Sequence, residues 1–231
     1  NSMLAARISL MNEFANLCER AGADVFDVRR GVGFDERIGH HFLFPGVGYG
    51  GSCFPKDVKA IIRTAELHGL DFAVLRAVED VNARQKQTLT QKVRAHYGDD
   101  LSGRRFAVWG LSFKPRTDDM REAPSIVVIE DLLAAGAEVH AHDPEALDEA
   151  KKIFGDRIHY HKVNYEALVD ADALLVVTEW NEFRRPDFER IRKTMKHPVV
   201  FDGRNIYDLA QMRTHGFTYY GVGRPSVTPE S

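Results

Sequence analysis

From Leu101 onward the chain repeats one pattern: a short apolar run, a polar turn, then an amphipathic helical segment. Strands are expected at Arg105–Gly110, Ala137–Asp143, Ala173–Thr178, Val199–Asp202 and Thr218–Gly221. Helices are expected at Pro124–Ala135, ended by Gly136, and near Glu145–Phe154, Tyr165–Asp170, Phe188–Met195 and Tyr207–His215. Few folds admit this alternation, because parallel strands need crossovers and crossovers put helices on both faces of a sheet. Ligands of such sheets bind at the carboxyl ends of the strands. Those ends are polar here. Leu111–Glu122 brings Lys114, Arg116 and Arg121 after the first strand, and Asp202-Gly203-Arg204-Asn205 follows a later one. The first of these segments lacks the glycine turn of a dinucleotide site. Lysine and arginine bind phosphate as charges even so, although an isolated surface cation is ordinarily just solvated.

Before Leu101 the chain reads as helices. One is expected over Ser2–Arg20, ending near Gly22, and a short one over Val25–Arg30, capped by Asp24. A stripe of Leu4, Ile8, Met11, Ala15 and Cys18 marks the core side of the first helix. Phe72–Tyr97 contains no Gly or Pro and ends at Gly98; Val74, Val78, Val81, Leu89 and Val93 give it an apolar side. As one helix it would span roughly 40 Å. That length suits a linker, a dimer seam or a simple core helix. The expected class is therefore α/β, with a helical part over residues 1–100 and a parallel-sheet part over 101–231. Asn1 is not an initiator methionine and the first stripe is already in helical phase, so a fragment beginning inside a helix is expected.

The chemistry is concentrated in Gly46-Val47-Gly48-Tyr49-Gly50-Gly51-Ser52-Cys53-Phe54-Pro55-Lys56-Asp57. A glycine-rich loop delivers one cysteine to the start of a helix whose apolar side is Ile61, Ile62, Ala65 and Leu67, stopped by Gly69. Pro55 suits the first helical turn. Cys53 then lies at the positive end of a helix dipole beside Lys56, and both favour the nucleophilic thiolate. The glycines leave room for a ligand to approach the backbone. A lone cysteine is more often a small buried hydrophobe, and Cys18 on its apolar stripe fits that description; Cys53 lies on no such stripe. Gly46, Gly48 and Gly51 also match G-x-G-x-x-G, with Asp71 about where a ribose-binding acid would fall. The segment before them ends in Pro45 and makes a poor buried strand, so a nicotinamide fingerprint is rejected.

A net charge of −3 over 231 residues gives no electrostatic case for nucleic acid. No apolar run approaches a membrane span and no signal peptide opens the chain. Two cysteines in unlike surroundings suit a reducing cytoplasm. His140/His142 and His159/His161 alternate along expected strands, but with no Cys or acidic partner at suitable spacing no metal site is expected. Arg224–Ser231 reads as a loose tail.

The helix opening Asn1-Ser2-Met3-Leu4, Arg37-Ile38-Gly39, Gly48–Asp57, Phe113-Lys114, Arg121-Glu122 and Asp202-Gly203-Arg204 together resemble the UDP-glucose/GDP-mannose dehydrogenase family over nearly the whole chain. The resemblance implies a central helical dimerisation domain followed by a Rossmann-like domain for the sugar nucleotide, without the family's N-terminal NAD domain. It implies an NAD-dependent double oxidation at C6 of a UDP-sugar, in which Cys53 forms a thiohemiacetal and then a thioester. Asp57 would position or deprotonate the hydrolytic water, and Asn1 would hydrogen-bond the oxygen at the reacting carbon. Lys56 and Arg121 would contact NAD. Phe42, Phe44 and the loop to Gly50, including Tyr49, would take the sugar and its phosphates, with Phe113, Lys114 and Arg204 holding the sugar nucleotide. Arg37 would reach the neighbouring subunit's substrate, making a homodimer necessary. Phe44 stands where relatives can carry a polar residue, and Pro115 after Lys114 also departs from the pattern. GDP-mannose, an N-acetylated UDP-sugar, or a non-catalytic binding module are the competing expectations, and the fragment alone is expected to be inactive.

Overall fold

All six strands run parallel, in the order β3-β2-β1-β4-β5-β6. They are β1 (Arg105–Trp109), β2 (Glu138–His142), β3 (His159–Tyr160), β4 (Ala173–Val176), β5 (Val199–Asp202) and β6 (Thr218–Tyr220) in a computed structural model that describes residues 1–229. The order reverses between β1 and β4, the switch point at which doubly wound sheets open a crevice. Alternate residues of each strand feed two cores. Phe106, Val108, Val139, Leu175 and Phe201 enter one, while Ala107, Trp109, Leu174, Val176 and Tyr219 enter the other. Helices α6 (Pro124–Ala134), α7 (Leu147–Phe154), α8 (Phe188–Thr194) and α9 (Leu209–Thr214) cross between the strands, and Asn164–Leu168 is a 3-10 turn where a helix was expected.

The helical half holds α1 (Ser2–Ala21), α2 (Val25–Gly33), α3 (Cys53–Leu67), α4 (Ala73–Gln85) and α5 (Thr88–Tyr97). α1 ends at Gly22 in the left-handed conformation (φ 71°), which only glycine adopts without strain. The Asp24 carboxylate accepts from Phe26 N–H at 2.8 Å and starts α2. Val47, Leu89 and Val93 are fully buried in the same core as β1 and β5. Each contributes about 1.5–3 kcal/mol by burial, so the two halves share hydrophobic stabilisation rather than touching through a linker.

Three expectations are corrected. The helix over Phe72–Tyr97 is interrupted at Lys86-Gln87, where Gln87 N–H turns to Arg84 C=O three residues back. The break accompanies two inward pulls: Gln85 Nε2 donates to Gly46 C=O at 2.7 Å and Lys86 Nζ lies 3.2 Å from Glu122. The core side of α3 is Pro55, Val58 and Ala65; Ile61 and Leu67 face outward. The tail is not loose through Val227: Tyr219 pairs antiparallel with Val227, and Arg224 bonds Asp24 at 3.2 Å. Glu230 and Ser231 lie outside the described residues. No helix among those residues is long and apolar enough to cross a membrane.

Candidate functional site

Two buried carboxylates shape the strand ends. Asp143, just past β2, accepts from Leu111 N–H at 2.7 Å and Ser112 N–H at 3.1 Å, and also from Trp180 Nε1 at 3.1 Å. It fixes the turn that presents Phe113 and Lys114. Asp202, at the end of β5, accepts from Arg204 N–H at 3.0 Å, Tyr207 N–H at 3.1 Å and the Tyr219 hydroxyl at 3.0 Å. Burial pushes the Asp202 carboxyl up from its ordinary value, against the pull of those donors. The turn it holds sends Arg204 across the molecule. Arg204 Nε donates to Val177 C=O at 2.7 Å, and Nη1 donates to Gly48 C=O at 3.1 Å.

The glycine loop is clamped from both sides. Asn12 Oδ1 accepts from Gly46 N–H and Asn82 Oδ1 from Tyr49 N–H, each at 2.9 Å, and Gly51 N–H donates to Arg121 C=O at 2.8 Å. The glycines admit protein rather than ligand. A Cβ on Gly46 would lie 2.8 Å from Gly203 O, one on Gly51 2.7 Å from the Phe113 ring, and one on Gly50 would collide with the Glu122 carbonyl. The loop is thereby pressed against the strand ends, and Cys53 follows as the first residue of α3.

Between the halves lies a cavity of about 770 Å³. Asn1, Phe42, Phe44, Tyr49, Gly50, Cys53, Phe113, Lys114 and Arg204 all line it. Cys53 is exposed and its Sγ is 3.7 Å from Ser52 Oγ, whereas Cys18 is buried and its thiol is pushed up by burial, with Asp24 and Glu19 adding to the effect. Burial and the neighbouring Glu79 hold the Tyr49 phenol protonated far above its ordinary range. Its hydroxyl donates to Glu79 at 3.0 Å.

The remaining expected residues sit around this cavity or away from it. Asn1 Nδ2 donates to Asp57 at 2.5 Å. That bond, with a smaller contribution from Lys56 at 3.4 Å, holds the Asp57 carboxyl below its ordinary value. Arg121 pairs with Asp119 at 2.7 Å, which raises its already high value, and the Cys53 sulfur adds to that shift. Lys56 and Arg121 are largely exposed. Arg37 pairs with Asp35 at 2.6 Å on the surface and does not line the cavity.

Sequence reasoning missed Arg29, Glu179 and Arg184, which also line the cavity with Asn205 of the expected strand-end segment. Glu179 lies 3.3 Å from Arg204 Nε, and one of its buried oxygens has no hydrogen-bond partner among the described residues. Asn82 and Gln85, polar residues spaced onto the buried side of α4, were a readable signal for the clamp. Phe42, Glu122 and Asn205 adopt φ values of 59°, 54° and 53°. Such backbone costs of order 1–3 kcal/mol per residue and collects where function constrains the chain.

A nicotinamide dinucleotide does not fit the sheet's own switch point. The β1–α6 connection carries Phe113 and Pro115 where a pyrophosphate turn needs glycine, and the Phe113 ring already packs on Gly51. Lys56 and Arg121 are exposed, paired with Asp57 and Asp119, and neither lines the cavity.

Residues 1–84 match the UDP-glucose/GDP-mannose dehydrogenase family, central domain, and residues 107–209 match the same family's UDP binding domain. The chain belongs to this family. The UDP-glucose 6-dehydrogenase of Pseudomonas aeruginosa is 51% identical over 230 residues, covering 97% of this chain and 51% of that protein. The UDP-glucose 6-dehydrogenase of Rhizobium meliloti is 47% identical, covering 97% and 51%. A UDP-glucose dehydrogenase structure from the hyperthermophilic archaeon Pyrobaculum islandicum superposes with a TM-score of 0.87 at 36% identity, covering 97% of this chain and 49% of that one. The chain spans about half the length of the relatives it matches.

Proposed function

We propose that this chain supplies the nucleophile and sugar-nucleotide site of an NAD-dependent UDP-glucose 6-dehydrogenase. The observation that carries the reading is the exposed Cys53 thiol in one cavity with Lys114 and Arg204. Cations at strand ends suit a diphosphate, and the thiol suits the carbon beyond it. Residues 1–100 form the dimerisation domain and 101–231 the UDP-sugar domain, and the complete enzyme works in the cytoplasm.

The chemistry a bound NAD supplies is hydride acceptance, once from the C6 alcohol and once from the thiohemiacetal. Lys56 and Arg121 would help to hold it. An aldehyde is a poor hydride donor until a nucleophile adds to its carbonyl. The Cys53 thiolate would add through Sγ to that carbon as the C=O π electrons move onto oxygen, giving a thiohemiacetal oxyanion held by Asn1 Nδ2; when its hydride leaves for the acceptor the C=O bond re-forms, giving a thioester. Water then attacks the thioester carbon, its proton passes to Asp57, and Cys53 departs as thiolate. The lowered Asp57 value keeps the carboxylate ionised and able to accept from that water. Phe42, Phe44, Tyr49 and Gly50 wall the sugar, Phe113 and Lys114 meet the nucleotide, and Arg204 ties that wall to the diphosphate site.

Met3, Leu10 and Leu17 recur every seventh residue on α1 and are 76%, 57% and 60% exposed. This stripe supports a homodimer seam on α1, with Arg37 turned to the neighbouring substrate.

Calorimetric titration tests the reading. UDP-glucose should bind the chain more tightly than UDP-N-acetylmannosamine or GDP-mannose, and Arg204→Ala should weaken it at least about tenfold. Equal or absent binding of all three overturns it. The chain alone should give no steady NADH production.

A further inference from the structure

We propose that Glu138, His140 and His159 form a binding site for a divalent transition-metal ion of the zinc type, pinning the edge strand β3 to β2. The site lies on the β2–β3 side of the sheet and shares no residue with the cavity around Cys53. Glu138 and His140 are two residues apart on β2 and share a face; His140 is in register with His159 on β3. The acidic partner missing from the sequence reading is thus Glu138, two residues before the histidine.

The ligand atoms of these three residues lie within 4.8 Å of one another. Glu138 Oε1 is 2.8 Å from His140 Nε2 and 3.3 Å from His159 Nε2. A tetrahedral ion with bonds of ~2.1 Å asks for donor separations of about 3.4 Å, so small side-chain rotations suffice. The rings of His140 and His159 stack at 4.5 Å and those of His140 and His161 at 5.0 Å. His140 Nδ1 is 2.8 Å from His161 Nε2. Once Nε2 of His140 takes the ion, Nδ1 carries the hydrogen and donates to His161, the outer partner a metal-bound histidine needs. That change is tautomeric and costs no net proton.

Electrostatics agree with the geometry. Burial, ahead of all else, lowers His140 and His161 from the ordinary imidazole value, and the His140 contact lowers Glu138. A neutral imidazole at the buried His140 and an ionised carboxylate at Glu138 are donors that zinc, cobalt and nickel take. Arg105 faces Glu138 as a competitor, but its contacts of 3.3 Å are longer than a strong guanidinium–carboxylate pair. Glu166 near His161 and Glu182 on His142 add negative charge nearby. His159 is exposed and gives an ion its way in.

The test is titration of the 231-residue chain, carrying Cys53→Ser to remove the competing thiol, with Co²⁺ followed in the visible range and Zn²⁺ as competitor. The proposal expects one ion per chain with tetrahedral d–d bands, displaced by Zn²⁺. His159→Ala and Glu138→Gln should each weaken binding at least about tenfold, with metal-free melts matching the parent. Imidazole ¹⁵N resonances of His140 and His159 should shift in the parent itself, which reads the ligands without any variant. No saturable binding, unshifted His140 and His159 resonances, or affinity unchanged in both variants overturns it.

Discussion

The two halves of the molecule spend their apolar residues differently. In the sheet half, Phe106, Trp109, Phe201 and Tyr219 are fully buried, and the strands are covered on both faces. In the helical half, Met3, Leu10, Leu17, Leu67, Leu70 and Val74 are large, apolar and more than half exposed. A closed core leaves polar chemistry to its strand ends, where Lys114 and Arg204 sit, and to its exposed edge at β3. An open one is a surface still to be covered. The glycine loop joins the two: Gly46, Gly50 and Gly51 fit against the closed half, Gly48 against Asn82 of the open half, and Cys53 begins a helix of the open half.

The sharpest way to break this contrast is substitution at the chemistry itself. In an assembled enzyme, Cys53→Ser should cut acid formation by at least about 10³-fold while shifting stability by under about 0.5 kcal/mol; rate assays and urea melts read both. Next, Phe106→Ala in the closed core should cost about 3–5 kcal/mol. Leu10→Ala and Leu17→Ala on α1 should leave the monomer melt nearly unmoved and weaken self-association, read by analytical ultracentrifugation. A large loss of monomer stability from Leu10→Ala would erase the distinction between the halves.

Arg204→Ala should cost about 1–3 kcal/mol, because Gly48 C=O and Val177 C=O lose their donor. The smallest effect is at Glu122, which Lys59 and Lys86 hold below its ordinary value of 4.5. The folded state therefore binds fewer protons than the unfolded one as pH falls. Stability from this contact is present above pH 4.5 and drains away from there down through the lowered folded value. Glu122→Gln should flatten that part of the stability–pH curve, and the screened, part-exposed site keeps the change small.

What was legible followed from local pattern. Val199–Asp202 reads as a strand and is one, because both its faces are buried and its ends are punctuated. The break after Gln85 was invisible, since it has no Gly or Pro and its companions, Gly46 C=O and Glu122, lie far along the chain. The glycines were noticed but their packing role was not: Gly46, Gly50 and Gly51 make room for Gly203 O, Glu122 O and Phe113 of the sheet half, and Gly48 for Asn82 of α4. Asp143 looked like any strand-end acid; the Glu145 and Ala146 N–H groups meet it locally, but only tertiary structure brings it the donors of Leu111, Ser112 and Trp180. The cluster around His140 was half seen, because alternation marks both histidine pairs while Glu138 on the same face went unread and only the strand register sets His159 beside His140.

Differential alkylation of the two cysteines, read by peptide mass spectrometry with and without UDP-glucose, addresses the central claim most directly. The account predicts fast iodoacetamide labelling of Cys53, slowed severalfold by UDP-glucose, and slow, ligand-independent labelling of Cys18 in the folded protein. Labelling of Cys53 at the rate of an ordinary thiol and indifferent to saturating UDP-glucose would contradict it.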